Sequence, residues 1–221
     1  MAANNFEKVC RKVIGAGANY WNFIQQTGAS KPKEPVIFIK PQSSLITATG
    51  DLNKDVVLIP KIFNAINFEA ELGIVIGKPG KNITRDQASN YIKGYCLSLD
   101  MTGMEFITKA REQKLPWVLG KAFDTATPVS EILSKDKLNP NDIKIWSKIN
   151  GELKQSESTK GMIFSIGELI EYISSYMSLE ENDLILTGTP AGAGEVHAGD
   201  VIECGLGENI VTMKFIVQKE K

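Results

Sequence analysis

Glu69, Glu71, Asp100, Lys121 and Thr189 have types and spacings that could do chemistry. Glu69 and Glu71 stand two apart in a stretch, 68–77, whose second half is crowded with Ile and Val and ends in a Gly-Lys-Pro-Gly turn. That pattern predicts a strand. On a strand, residues i and i+2 share a face, so the two carboxylates are expected side by side. The rest of the stretch is apolar on both faces, the mark of a buried strand. Adjacent carboxylates in a dry place repel and lose hydration, and one ordinarily takes up a proton. A bound divalent cation keeps both ionised. Asp100 closes another predicted strand, 95–100, and two strand ends in one sheet can bring three carboxylates around a point. All-oxygen ligation favours Mg2+, Mn2+ or Ca2+ over zinc or copper. Three protein ligands on Mg2+ leave about three octahedral positions for water or substrate. An open metal of that kind polarises a carbonyl and stabilises an enolate. Periodicity alone also fits a pair of glutamates on a solvated face.

Lys121 lies in Leu119-Gly120-Lys121-Ala122-Phe123-Asp124, among small and apolar neighbours. A partly buried ammonium there would neutralise an anionic substrate or hold a water; a lysine snorkelling to the surface is the alternative. The run Thr187-Gly188-Thr189-Pro190-Ala191-Gly192-Ala193-Gly194 follows a predicted strand. Its glycine density suits a loop whose N–H groups face an anion, and equally an ordinary turn. It lacks the Gly-Lys-Ser/Thr of a P-loop, and the chain has no G-x-S-x-G nucleophile elbow. The single histidine, His197, sits in a turn and is expected to be exposed, which leaves no histidine general base. It has no ligand-like spacing to Cys10, Cys96 or Cys204, which argues against a Cys/His zinc site. The cysteines are odd in number and widely spaced, as small core residues in a reducing compartment would be.

The elements that must position these groups are mostly short. A helix is expected over 4–13 from the stripe Phe6, Val9, Cys10 and Val13, then a flexible loop from Gly15 to Tyr20 and a helix over 20–26. Strands are expected at 36–40, 56–59, 183–187, 200–204 and 210–217. Thr84 with Gln87, and Ser165 with Glu168, have capping-box spacing ahead of helical stripes. Asn150-Gly151, between 143–149 and 152–155, is a strong hairpin signal. The polar segment 101–115 is helical or looped. Strands outnumber helices without strict alternation, so the fold class expected is α+β, a mostly β roll. Length fits one domain over 1–221 with a sizeable core. Charge is balanced, Lys+Arg 25 against Asp+Glu 26, without basic runs or acidic tails, so neither nucleic acid nor a membrane surface is an expected partner. No apolar stretch reaches membrane-spanning length. Residues 1–11 lack the apolar core of a secretory signal and the Arg/Ser richness of a transit peptide.

Several motifs come in a telling order. They are Glu69-x-Glu71-Leu72-Gly73, Gly94-Tyr95 to Leu99-Asp100-Met101-Thr102, Leu115-Pro116-Trp117, Gly120-Lys121-x-Phe123-Asp124 and Leu186-Thr187-Gly188-Thr189-Pro190-x-Gly192. Over residues 11–218 the chain resembles the fumarylacetoacetate hydrolase family, nearest its acylpyruvase and oxaloacetate decarboxylase branch. The resemblance implies a mixed β-roll of that family's C-terminal-domain type, usually a homodimer. It implies that Glu69, Glu71 and Asp100 hold Mg2+ or Mn2+. A small 2-oxo acid, such as an acylpyruvate or oxaloacetate, would chelate that metal. Lys121 would act on the substrate or an attacking water, and Thr189 with its loop would receive a carboxylate. Relatives include mitochondrial and cytosolic proteins, so a mitochondrial or cytoplasmic location is expected.

The chain also departs from the pattern. The family's Gly-Arg-Asn-Tyr-x-x-His-x-x-Glu is here Gly17-Ala18-Asn19-Tyr20-Trp21-Asn22-Phe23-Ile24-Gln25-Gln26. Phe23 and Gln26 stand where the water-activating His–Glu pair belongs, and neither is a base at neutral pH. Met104 and Ile107 replace a substrate-facing Arg and Gln. Hydrolysis is therefore expected to be weak. Three readings stay open: acylpyruvate hydrolysis or oxaloacetate decarboxylation, keto–enol tautomerisation of oxaloacetate, which needs no attacking water, and ligand binding without catalysis.

Overall fold

The computed structural model describes residues 6–221. In chain order the strands are β1 (Val13–Gly17), β2 (Val36–Lys40), β3 (Leu45–Thr47), β4 (Val56–Ile59), β5 (Ile66–Phe68), β6 (Ala70–Ile76), β7 (Ile92–Leu99), β8 (Thr127–Val129), β9 (Leu133–Ser134), β10 (Lys144–Ile149), β11 (Glu152–Ser158), β12 (Leu184–Leu186), β13 (Gly194–Val196), β14 (Val201–Leu206) and β15 (Val211–Lys219). The helices are α1 (Phe6–Val9), α2 (Trp21–Thr27), α3 (Met104–Gln113), α4 (Val118–Lys121) and α5 (Ile166–Tyr176). One sheet runs β2-β1-β12-β6-β7-β8-β3 with β9 beside β7; a second runs β11-β10-β14-β15-β4; β5 pairs with β13 in a small ribbon. Pairing is mixed, with β1–β12, β3–β8 and β4–β15 parallel among antiparallel neighbours. Strands dominate and helices are few, as the α+β reading expects.

β6 shows why the large sheet forms where it does. All seven of its residues are buried, and it is paired on both edges, to β12 and β7. Its even positions, Ala70, Leu72, Ile74 and Ile76, enter the main core with Leu97, Leu99, Ile170, Ile173 and Phe215. Val75, on the opposite face of the pleat, enters a second cluster with Val13, Cys96 and Leu184. The strand expected over 68–77 is divided: at Glu69 the chain leaves β5 and its partner β13 and joins the large sheet. The three cysteines are buried and free. The Asn150-Gly151 hairpin forms, with both residues at positive φ, and Ser165 with Glu168 makes a complete capping box on α5.

Three expectations are corrected. Residues 4 and 5 of the helix expected over 4–13 lie outside the described residues. Within them the helix stops at Val9 and Val13 opens β1, because Val13 is paired to both Leu184 and Lys40. Gly15, Ala16 and Gly17 belong to that interior strand, not to a flexible loop; Gly15 leaves room for the Phe38 ring, with which a Cβ would clash. Thr84 precedes a 3-10 helix, Arg85–Tyr91, without a side-chain cap. Its carbonyl instead accepts from Gln87 N–H at 2.9 Å.

Candidate active site

The register of β6 and β7 assembles the acidic group. Ala70 faces Leu99, so Asp100, one residue past β7, lies across from Glu69, and its N–H donates to Glu69 O at 2.9 Å. Ligand oxygens of Glu69, Glu71 and Asp100 all lie within 4.8 Å of one another. Each carboxylate is held by a protein donor. Thr102 Oγ1 lies 3.0 Å from Glu69 Oε1, and Gly188 N–H donates to Glu71 Oε2 at 2.6 Å. Gly188 has φ +99°, a conformation that glycine adopts without strain.

Two ammonium groups bracket Asp100. Lys121, the last residue of α4, donates to Asp100 Oδ2 at 2.5 Å, Thr102 Oγ1 at 2.6 Å and Glu69 Oε2 at 3.2 Å. It also stands 4.6 Å over the Phe38 ring. It is buried, so the surface alternative for Lys121 is excluded. Lys40, the last residue of β2, donates to Asp100 Oδ1 at 2.5 Å, Ala126 O at 2.7 Å and Met101 O at 3.2 Å. All three of its N–H groups are used.

The electrostatics follow. Burial, then the Asp100 and Glu69 charges, push Glu71 well above the ordinary carboxylate range. Burial also raises Glu69, although Lys121 pulls it back. Burial works against the Asp100 charge as well, but Lys121 and Lys40 hold that carboxyl below its usual range. Lys121 is disfavoured by burial, yet Asp100 and Glu69 outweigh this and push it up to about 12. Three converging carboxylates facing two ammoniums, with two acids pushed toward protonation, fit a hard divalent cation bound by oxygen.

Residues 12–218 match the model of the family described as Fumarylacetoacetate (FAA) hydrolase C-terminal. The chain belongs to the fumarylacetoacetate hydrolase family. It is 42% identical over 214 residues to "Oxaloacetate decarboxylase, mitochondrial" of Dictyostelium discoideum, spanning 96% of each chain. It is 40% identical over 221 residues to "Oxaloacetate tautomerase FAHD2, mitochondrial" of Oryza sativa subsp. japonica, spanning 100% of this chain and 96% of that one. Among solved structures, fumarylpyruvate hydrolase from Pseudomonas aeruginosa, in complex with Mn2+ and pyruvate, matches with TM-score 0.88 at 29% identity, over 96% of this chain and 91% of that one. The chain is an enzyme of this fumarylacetoacetate hydrolase family.

Around this acidic group, the departures from the family pattern have structural consequences. Phe23, on α2, packs half-buried against the main core. Its neighbours Asn22 and Gln26, four apart on one helix face, accept from Ala191 N–H at 3.1 Å and Gly192 N–H at 2.9 Å. So α2 clamps the Gly-rich loop. Ile107 is buried against Gly120, beside Lys121, while Met104 is half-buried at the start of α3. Thr189 reaches the segment between Glu69 and Glu71, but its hydroxyl is engaged within the protein, donating to Ala70 O at 2.9 Å and accepting from Gln155 Nε2 at 2.8 Å. His197 is exposed and far from a role here, its side chain 63% accessible. Lys40, Thr102 and Gln155 were not legible as site residues. Only the strand predicted over 36–40 hinted where Lys40 would end.

Proposed function

We propose that this chain is a Mg2+- or Mn2+-dependent enzyme acting on a small 2-oxo acid, with keto–enol tautomerisation of oxaloacetate as its reaction. The observation that carries the proposal is the converging Glu69–Glu71–Asp100 group with Lys121, together with Phe23 and Gln26 on α2 at the positions where the family pattern has its water-activating pair. Tautomerisation moves one proton from C3 to the 2-oxo oxygen and consumes no water, so it does not call for a water-activating pair. The rice relative's name and the Mn2+ and pyruvate in the Pseudomonas structure support this reading.

Glu69, Glu71 and Asp100 would hold the metal, which when bound supplies a Lewis acid for a 2-oxo group and its enolate. The chain's own residues bind and orient the substrate. With these carboxylates free of metal, Asp100 and Glu69 push Lys121 up to about 12, and its ammonium sets positive charge beside them. The Phe38 ring, 4.6 Å from its ammonium, covers it with apolar surface. In the Gly-rich loop, Gly188, Ala191 and Gly192 N–H groups are already committed to side chains. The Thr189 N–H, for which no partner is found among the described residues, is a donor the loop can offer a carboxylate.

A second reading, oxaloacetate decarboxylation, is favoured by the Dictyostelium relative's name and likewise needs no attacking water. One assay panel separates them: enol–keto interconversion of oxaloacetate, loss of CO2 from oxaloacetate, and cleavage of acetylpyruvate, each with Mg2+ and with chelator. Metal-dependent acceleration of interconversion that is lost in Glu71→Gln supports the proposal; no acceleration over metal-containing buffer sinks it. The proposal includes a mitochondrial location, supported by the names of the Dictyostelium and rice relatives and tested by imaging a tagged protein. It also includes a homodimer, supported by the exposed apolar Leu115, Val118 and Leu119 and tested by light scattering.

A further inference from the structure

Strand β6 outruns its neighbour β12. Their pairing ends at Gly73 and Leu186, and on that edge the backbone groups of Leu72 and Ala70 still need partners. Thr187 serves Leu72 O through its N–H at 3.1 Å and its hydroxyl at 2.8 Å. Ala70, the residue between Glu69 and Glu71, is completed by two side chains. Thr189 Oγ1 donates to Ala70 O at 2.9 Å, and Ala70 N–H donates to Gln155 Oε1 at 3.1 Å.

Gln155 comes from β11, in the other sheet. Its Nε2 donates to Thr189 Oγ1 at 2.8 Å and to Pro190 O at 2.9 Å, while Oε1 also accepts from Ser147 Oγ at 3.0 Å. The residue is 1% exposed, and both donors and both lone pairs of its amide are used. Turning the amide over would set Nε2 against Ala70 N–H and Oε1 against Pro190 O, like against like. Only one orientation fits. A single neutral side chain thus ties together the backbone between two carboxylates, the hydroxyl of the Gly-rich loop and the second sheet.

We propose that Gln155 is a positioning residue: it fixes the Glu69-x-Glu71 segment and the Thr189 loop at the separation that a metal with a bound 2-oxo acid requires. This rests on the metal reading above. Gln155 carries no net charge, and it acts through placement.

The test is calorimetric titration of the full-length protein, first with Mg2+ alone and then, once loaded, with oxalate. Wild type, Gln155→Met, Thr189→Val and the double variant are compared well below their melting temperatures. Gln155→Met is expected to weaken both Mg2+ and oxalate by about tenfold or more, the usual range for residues that orient metal ligands. The double variant is expected to be no worse than Gln155→Met, because both changes break one bridge. A residue that merely supports the fold would lower the melting temperature and leave both affinities unchanged, and that result overturns the inference. So do additive losses in the double variant. If Gln155→Met does not fold, Thr189→Val decides alone, and unchanged affinities in it overturn the inference. A wild type that binds no Mg2+ sinks the metal reading and this inference with it, whereas equal binding by wild type and variants sinks the inference alone.

Discussion

Lys40 and Asp100 form an ion pair at 2.5 Å in which the side chains are 0% and 1% exposed. The remaining Lys40 protons go to two backbone carbonyls. Taking one member from a buried pair strands the other in a medium that cannot solvate it. Lys40→Met keeps the length of the side chain and removes the charge. It is expected to cost about 3–5 kcal/mol of stability, toward the lower end because Lys121 still faces Asp100 Oδ2. Urea unfolding measures this; a loss below about 1 kcal/mol, the size of an ordinary substitution, would show that the pair contributes little.

The same centre sets the response of the metal-free protein to pH. Glu69 and Glu71 titrate above their ordinary value of 4.5 in the fold. The folded state therefore holds protons that the unfolded chain has released. Their contribution to stability is fully present below the ordinary value and is lost as pH rises through the raised one. Asp100, held low by Lys121 and Lys40, has the opposite sign, its contribution being lost as pH falls. In chelator, unfolding midpoints should decline across the pH range from the ordinary carboxylate value up through the raised ones of the two glutamates. With saturating Mg2+ the decline should disappear, because bound metal requires ionised carboxylates. Midpoints that rise across this range in chelator would contradict the assignment.

Much of this was legible in the sequence, for identifiable reasons. Glu69, Glu71 and Asp100 could be picked out because carboxylates among Ile, Val and Leu break an apolar pattern. The Asn150-Gly151 turn and the Ser165–Glu168 cap are local signals and formed locally. The interior strand β1 was not legible: Gly15 and Gly17 read as loop because their reason is tertiary, the Phe38 ring lying where a Gly15 side chain would go and the Trp117 ring packing closely at Gly17. Lys40 and Gln155 were invisible for a related reason. Long polar residues on strands usually face water, and only the pairing of distant segments buries these two.

Metal binding should register as stability as well as activity. A ligand that binds only the folded state stabilises it by about 2.7 kcal/mol at a hundredfold excess over its Kd. Mg2+ is expected to raise the melting temperature of the wild type, and chelator to reverse the rise. Glu71→Gln keeps the acceptor for Gly188 N–H but removes a charge the metal needs, so its melting temperature should not respond to Mg2+. A metal response equal to that of the wild type would move the ion to other ligands.

α2 offers the sharpest test of what limits this chain. Phe23 lies on a helix whose next turn carries Gln26, and Gln26 Oε1 accepts from Gly192 N–H at 2.9 Å. Gln26→Glu retains an acceptor for that bond, so the clamp on the loop survives the change. Phe23→His exchanges one half-buried ring for another that can carry a proton. Together they would restore a base with an orienting carboxylate three residues on, one helical turn away. A positioned general base is worth about two to four orders of magnitude in rate. The double variant should therefore gain acetylpyruvate cleavage by about a hundredfold over wild type, with oxaloacetate interconversion little altered. Each single change should gain far less, since the two residues act as a unit. Cleavage that stays at the wild-type level in a folded, Mg2+-binding double variant would place the barrier elsewhere, with Met104 and Ile107 as the next positions to restore.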